Sequence, residues 1–235
     1  MDATASGGPA LEQALSRMRL ALVQTVHAVS TVAGHRDRYT DRHQRHTAIL
    51  ALAIGRELRL DKHQLEGLYL GALVHDVGKV TVPSDLLNKP GRLTPEEFAL
   101  VRTHVVAGCN IFESVELPWP VKSIIAQHHE RLDGSGYPLR LAAGAIVLEA
   151  RIVAVADVFD AMSDDRPYRA APGRDAALKE LMRCSGKSLD TDVITALQTV
   201  LRAVQATGEQ FWSELEADPT LTSTVVLPHL PRERE

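Results

Sequence analysis

At 235 residues the chain is long enough to bury a sizeable core, and 45% hydrophobic with 24% charged residues is the balance of an ordinary globular protein. A net charge of -4 excludes the basic bias of polymeric nucleic-acid binders, so a phosphate-bearing ligand must be recognised locally. No stretch approaches the ~20 apolar residues of a membrane span, no basic-then-apolar leader opens the chain, and Cys109 and Cys184 follow neither metal-finger nor disulfide spacing; a reduced cytoplasmic setting fits best.

Residues 1–10 are small and featureless and read as a flexible tail. From Leu11 the positions Leu11, Leu15, Met18, Leu22, Val26 and Val29 step by three and four, predicting an N-terminal helix over 11–33. That narrow stripe suits either packing on the domain or a homodimer seam. A second helix over 41–60 carries Leu50, Ala53, Ile54 and Leu58 on the face of His43. Asp61 with Gln64 reads as a capping box opening a helix through Leu65, Leu68, Tyr69 and Ala72 to His75, ending at Gly78. Pro83 and Pro90-Gly91 mark a loop over 80–92. Thr94-Pro95-Glu96-Glu97 is a helix start, and the helix it opens is expected to bury Phe98, Val101, Val105 and Ile111. Pro118 and Pro120 precede a helix from Val121 to His128-His129, and 133–138 is a turn-rich loop. The segment 147–162 is apolar almost all round and should be a buried helix; further helices fall near 174–184 and 190–206. Weak periodicity and Pro219, Pro228 and Pro231 predict an irregular tail over 207–235. With no alternating strand, the fold class is all-α: one helical bundle over 34–206 between the N-terminal helix and the tail.

Charged and imidazole side chains recur where these helices should bury apolar ones. Ala72, His75, Asp76 and Lys79 share one face. His104 lies on the stripe of Val101 and Val105, His128 and His129 follow Ile124-Ile125, and Asp157 interrupts an apolar run. One inward histidine is more often a satisfied core residue than a ligand, but several helices each delivering one need cations. Nitrogen and carboxylate donors without thiolate suit two divalent transition metal ions, iron or manganese ahead of zinc or nickel. Asp76 is placed to bridge them, and such a pair lowers the pKa of the water between the ions.

The ordered series resembles the HD-GYP domain of the HD metal-dependent phosphohydrolase superfamily. It runs through Asp37-Arg38-Tyr39-Thr40 with His43, His75-Asp76-Val77-Gly78-Lys79, 87–94, His104, His128-His129-Glu130, Asp133-Gly134-Ser135-Gly136-Tyr137-Pro138, 155–162 and 165–169. The resemblance implies an HD-type bundle in which His43, His75, Asp76 and Asp157 hold one metal and Asp76, His104, His128 and His129 the other. By the same resemblance Lys79 lies beside the scissile phosphate, and Arg166, Arg169 and Lys89 contact substrate. Some members place a glutamate one turn before the first histidine for a third metal; Tyr39 stands there, which implies two metals. After Pro138 the family's glycine-bearing turn is replaced by Leu139-Arg140-Leu141-Ala142-Ala143, which should reshape that loop.

The implied activity is hydrolysis of cyclic di-GMP to pGpG, and further to GMP, by a hydroxide that the two metals activate, with cyclic di-GMP synthases or other signalling proteins as partners. Hydrolysis of another cyclic dinucleotide or of a nucleotide phosphomonoester is the nearest rival. A cyclic-dinucleotide sensor or docking module with little turnover is the rival of a different class, motivated by the altered loop.

Overall fold

The computed structural model describes residues 7–34, 38–163, 171–204 and 208–222, which are largely helical and contain no β-strand. The long helices are α1 (Gly7–Gly34), α2 (Arg38–Glu57) and α3 (Lys62–Val74), followed by a 3-10 turn (Val77–Thr81) and α4 (Ser84–Leu87). Then come α5 (Pro95–Arg102), α6 (His104–Ile111), α7 (Val121–Gln127) and α8 (Leu148–Ser163). The chain closes with α9 (Arg174–Cys184), α10 (Thr191–Ala203), α11 (Gly208–Ala217) and α12 (Pro219–Thr222).

Residues 48–54 of α2 are buried on every side, which is the signature of a helix in the middle of a core. The helices α3, α8 and α10 pack around it, and α7 packs against α3. Both expected capping boxes are present. Asp61 Oδ1 accepts from Gln64 N at 2.8 Å while Gln64 Oε1 accepts from Asp61 N at 3.1 Å, and Thr94 and Glu97 reciprocate in the same way at the start of α5. Satisfying these amide groups sets the phase of α3, and so the direction in which His75 leaves its C-terminal end. A β-carbon added to Gly78 would lie 1.9 Å from the His104 carbonyl oxygen, so glycine alone lets the turn after Asp76 sit against α6.

Four expectations are corrected. The helix after Thr94 breaks at Thr103 into α5 and α6, and Phe98 and Ile111 are exposed; only Val105 of the expected apolar set is fully buried. Instead of entering the core, Phe98 packs edge-on against Tyr137. In α1, Val26 faces the domain with Val23, whereas Leu11, Leu15, Met18 and Val29 face outward with Val32. The segment expected to be an irregular tail forms α11 and α12, whose Phe211, Trp212, Leu215 and Leu221 are buried; both helices pack on α2, and Phe211 meets Phe159 of α8. Pro219 is the first residue of α12, where its missing amide is harmless. Of the expected N-terminal tail over 1–10, residues 7–10 instead open α1, while 1–6 and the tail over 223–235 lie outside the described residues.

Because Phe211 is a packed core residue, Phe211→Ala is expected to lower unfolding stability by about 3–5 kcal/mol in a denaturant melt. A loss below about 0.5 kcal/mol would mean that the segment is the loose tail its prolines suggest.

Candidate metal centre

The centre is built where short helices end. His75 follows α3, His104 follows the break after α5, and His128 follows α7, so each leaves a helix whose last carbonyls have lost their amide partners. Each imidazole donates to one of these terminal carbonyls, which at Val101 also accepts from Thr103 N. The Nδ1–H of His75 donates to Ala72 O at 2.6 Å, that of His104 to Val101 O at 2.7 Å, and that of His128 to Ile125 O at 2.9 Å. A carbonyl only accepts, so Nδ1 carries the proton and Nε2 is left with a lone pair.

All three lone pairs meet Asp76. Its Oδ1 lies 3.3 Å from His104 Nε2 and 3.9 Å from His128 Nε2, and its Oδ2 lies 3.4 Å from His75 Nε2. Yet Asp76 Oδ1 and the Nε2 atoms of His75, His104 and His128 are all buried without a hydrogen-bond partner among the described residues. Lone pairs facing a carboxylate oxygen repel, and an unmatched buried polar atom costs about 1–3 kcal/mol. A cation between them turns each of these costs into a bond. The donors fall into two groups whose ligating atoms lie within 4.8 Å of one another: Asp76, His104, His128 and His129, and separately His43, His75 and Asp157. The residues present therefore fit two cations with Asp76 at the junction.

The electrostatics agree with that use. Burial, helped by the neighbouring imidazoles, holds His128 well below the usual histidine range, and burial brings His129 down to about 3, leaving both neutral. Burial opposes ionisation of Asp76, but the Lys79 ammonium and the surrounding imidazoles outweigh it and keep the carboxylate ionised. His43 differs. Burial alone would lower it, but Asp157 and Asp160 push it up to about 10, and a cation bound at Nε2 would take the place of that proton.

Around this core, Lys79 places its ammonium on Asp76 Oδ2 and remains partly exposed at the mouth. Lys89 is instead held by both oxygens of Glu97, at 2.6 and 2.7 Å, within the α5 capping box. Arg166 and Arg169 lie outside the described residues. Tyr137 stacks on His129 with ring centroids 4.7 Å apart, and the Arg102 guanidinium covers the tyrosine at 4.2 Å.

Two carboxylates that the ligand reasoning passed over also act here. Glu130 is buried and accepts from Leu139 N at 2.7 Å and Leu141 N at 2.9 Å, clamping the loop after Pro138 beside the centre. In that loop Arg140 (φ 54°) and Ala143 (φ 42°) occupy the left-handed region that glycine adopts more readily. Asp160 is fully buried on α8 and faces both His43 and His46. Its signal was available: it is a charged residue in the same apolar helix as Asp157, one turn on.

A profile of the HD domain family matches residues 28–193. A cyclic di-GMP phosphodiesterase of Pseudomonas aeruginosa is 39% identical over 151 residues, covering 64% of this chain and 36% of that protein. A 3'3'-cGAMP-specific phosphodiesterase of Vibrio cholerae is 38% identical over 143 residues, covering 61% and 33%. The chain thus spans about a third of the length of these two curated relatives. Among solved structures, an HDG"Y"P protein of Bdellovibrio bacteriovorus superposes with a TM-score of 0.59 at 26% identity, covering 69% of this chain and 52% of that one. With the motifs, the helical fold and the profile in agreement, the chain belongs to the HD domain family, in the HD-GYP branch that its sequence resembles.

Proposed function

We propose that the chain is a metal-dependent phosphodiesterase that hydrolyses cyclic di-GMP, with pGpG or GMP as the end product. The observation that carries this reading is the set of buried, unpartnered lone pairs on Asp76, His75, His104 and His128, a donor set that two cations would satisfy. In the reading, His43, His75, Asp76 and Asp157 hold one divalent transition metal and Asp76, His104, His128 and His129 the other. Oxygen and imidazole donors without sulfur favour iron or manganese over softer ions. Two such ions, when bound, supply a water of lowered pKa as nucleophile and neutralise charge on the phosphoryl oxygens.

The chain's own groups do the rest. Lys79 is the protein's cation at the mouth, held in place by Asp76, and it donates to a phosphoryl oxygen or to the departing ribose oxygen. Tyr137, wedged between His129 and Arg102, closes one side of the centre against water. Glu130 holds the adjoining loop at two backbone amides, which keeps that wall in place while substrate enters. Arg166 and Arg169 are assigned to the far phosphate or a guanine edge, on the bidentate geometry of guanidinium.

A second reading keeps the chemistry and takes 3'3'-cGAMP as substrate, favoured by the 38% identical relative of that name. Rates over a panel of cyclic di-GMP, 3'3'-cGAMP and nucleotide phosphomonoesters separate the two. The highest kcat/KM is expected for cyclic di-GMP. A higher value for 3'3'-cGAMP selects the second reading, and metal-loaded protein that binds cyclic di-GMP without turnover makes it a sensor. Lys79→Ala is expected to lower kcat by about 100-fold or more with metal content unchanged. Asp76→Ala should lose metal and turnover together, since both ions share that carboxylate.

We also propose that two copies pair through α1. Leu11, Leu15, Met18, Leu22, Thr25, Val29 and Val32 step alternately by four and three, a heptad seam, and Met18 and Val32 are each 70% exposed. A specific interface needs on the order of 1,000 Å², and a long helix with an exposed apolar stripe is the kind of face that can supply it. Light scattering should find a dimer for the wild type and a monomer for Met18→Glu at equal concentration. A monomeric wild type would contradict the pairing.

A further inference from the structure

His43 is held differently from the other imidazoles of the centre. Where His75, His104 and His128 each bond a backbone carbonyl, His43 Nδ1 bonds the Asp160 carboxylate, while its Nε2 lies 3.0 Å from Asp157 Oδ1. The other oxygen of Asp160 reaches His46 Nδ1 at 3.1 Å. His43 and His46 are one turn apart on α2, and Asp157 and Asp160 one turn apart on α8, so the two helices interlock through this one buried carboxylate. Behind it, the His46 ring lies flat on the Trp212 indole, with centroids 3.9 Å apart and planes inclined by 10°. Trp212 belongs to α11, which lies beyond the segment matched by the family profile and is tied to α2 by Arg45 with Glu216 at 3.2 Å.

We infer that Asp160 is a positioning residue for the His43, His75 and Asp157 metal site, and that the His46–Trp212 stack makes α11 an outer support of that site. A carboxylate behind an imidazole fixes its ring and makes it a stronger donor than a carbonyl does, and such partners set metal affinity by about 10–100-fold. Because Asp160 also holds His46, the position of its oxygens depends on where His46 is stacked. The four-part line Trp212–His46–Asp160–His43 therefore carries the packing of α11 to one metal, whereas in the other site His104 and His128 are anchored separately, through backbone carbonyls. This inference rests on the proposed two-metal reading.

The test is titration of the full-length chain with Mn²⁺ against a competing chelator, with thermal melts in excess chelator as a control on folding. Wild type should bind two ions. Asp160→Asn should weaken one of them by about 10-fold or more and leave the other unchanged. Trp212→Leu should weaken the same ion by several-fold, and Trp212→Phe, which keeps a flat ring under His46, should restore it. If Asp160→Asn does not fold, the comparison of the two Trp212 variants decides. Two ions bound by Asp160→Asn as tightly as by wild type, both ions weakened equally, or Trp212→Phe behaving as Trp212→Leu would overturn the inference while leaving the two-metal reading intact. A wild type that binds no Mn²⁺ removes the reading itself.

Discussion

A helix that stops leaves carbonyl groups at its end short of amide partners, and at three places in this chain an imidazole donates to one of those terminal carbonyls. Ala72, Val101 and Ile125 each receive the Nδ1 proton of a histidine three residues on. The geometry fixes more than a ring position, because it decides which nitrogen keeps a lone pair and sends all three lone pairs toward Asp76. Everything else about the centre follows from that convergence. Buried lone pairs facing a carboxylate are tolerable only when something positive lies between them, so the helix ends that create the cluster also create its demand for cations.

The two halves of the centre are supported by different means. Around Asp76 the support of His104 and His128 is local and belongs to the backbone, so it persists wherever α5 and α7 end as they do. Around His43 it comes from side chains on α2, α8 and α11, and depends on their packing. Gly78 joins the halves, since only a residue without a β-carbon lets the turn after Asp76 approach the His104 backbone. Glu130 does comparable work for the loop after Pro138. Its two oxygens hold Leu139 and Leu141 while Arg140 and Ala143 take up backbone conformations that glycine would adopt at less cost.

Much of this was legible in the residues because the signals were local. Capping boxes at Asp61 and Thr94 need only a few neighbouring residues to form, and both appear. The candidate ligands stood out because each placed charge or imidazole where a helix should bury carbon, and all seven converge in the two groups. What failed to read correctly depended on partners distant in the chain. Phe98 has helical spacing, but its partner is Tyr137 on a loop, so it stays at the surface. The short helices α11 and α12 have too little periodicity to announce themselves and gain their order by packing on α2, with Phe211 meeting Phe159 of α8. Lys89, expected to contact substrate, pairs with Glu97, which the sequence marks only as a cap.

The central claim is that two cations occupy the space defined by the two donor groups. Anomalous diffraction from crystals grown with Mn²⁺, recorded on both sides of the manganese absorption edge, tests it directly. Two peaks are expected, one among His43, His75 and Asp157 and one among His104, His128 and His129, with Asp76 reaching both. Absence of anomalous density at either position, with the Nε2 atoms bonded to ordered water instead, would contradict the account.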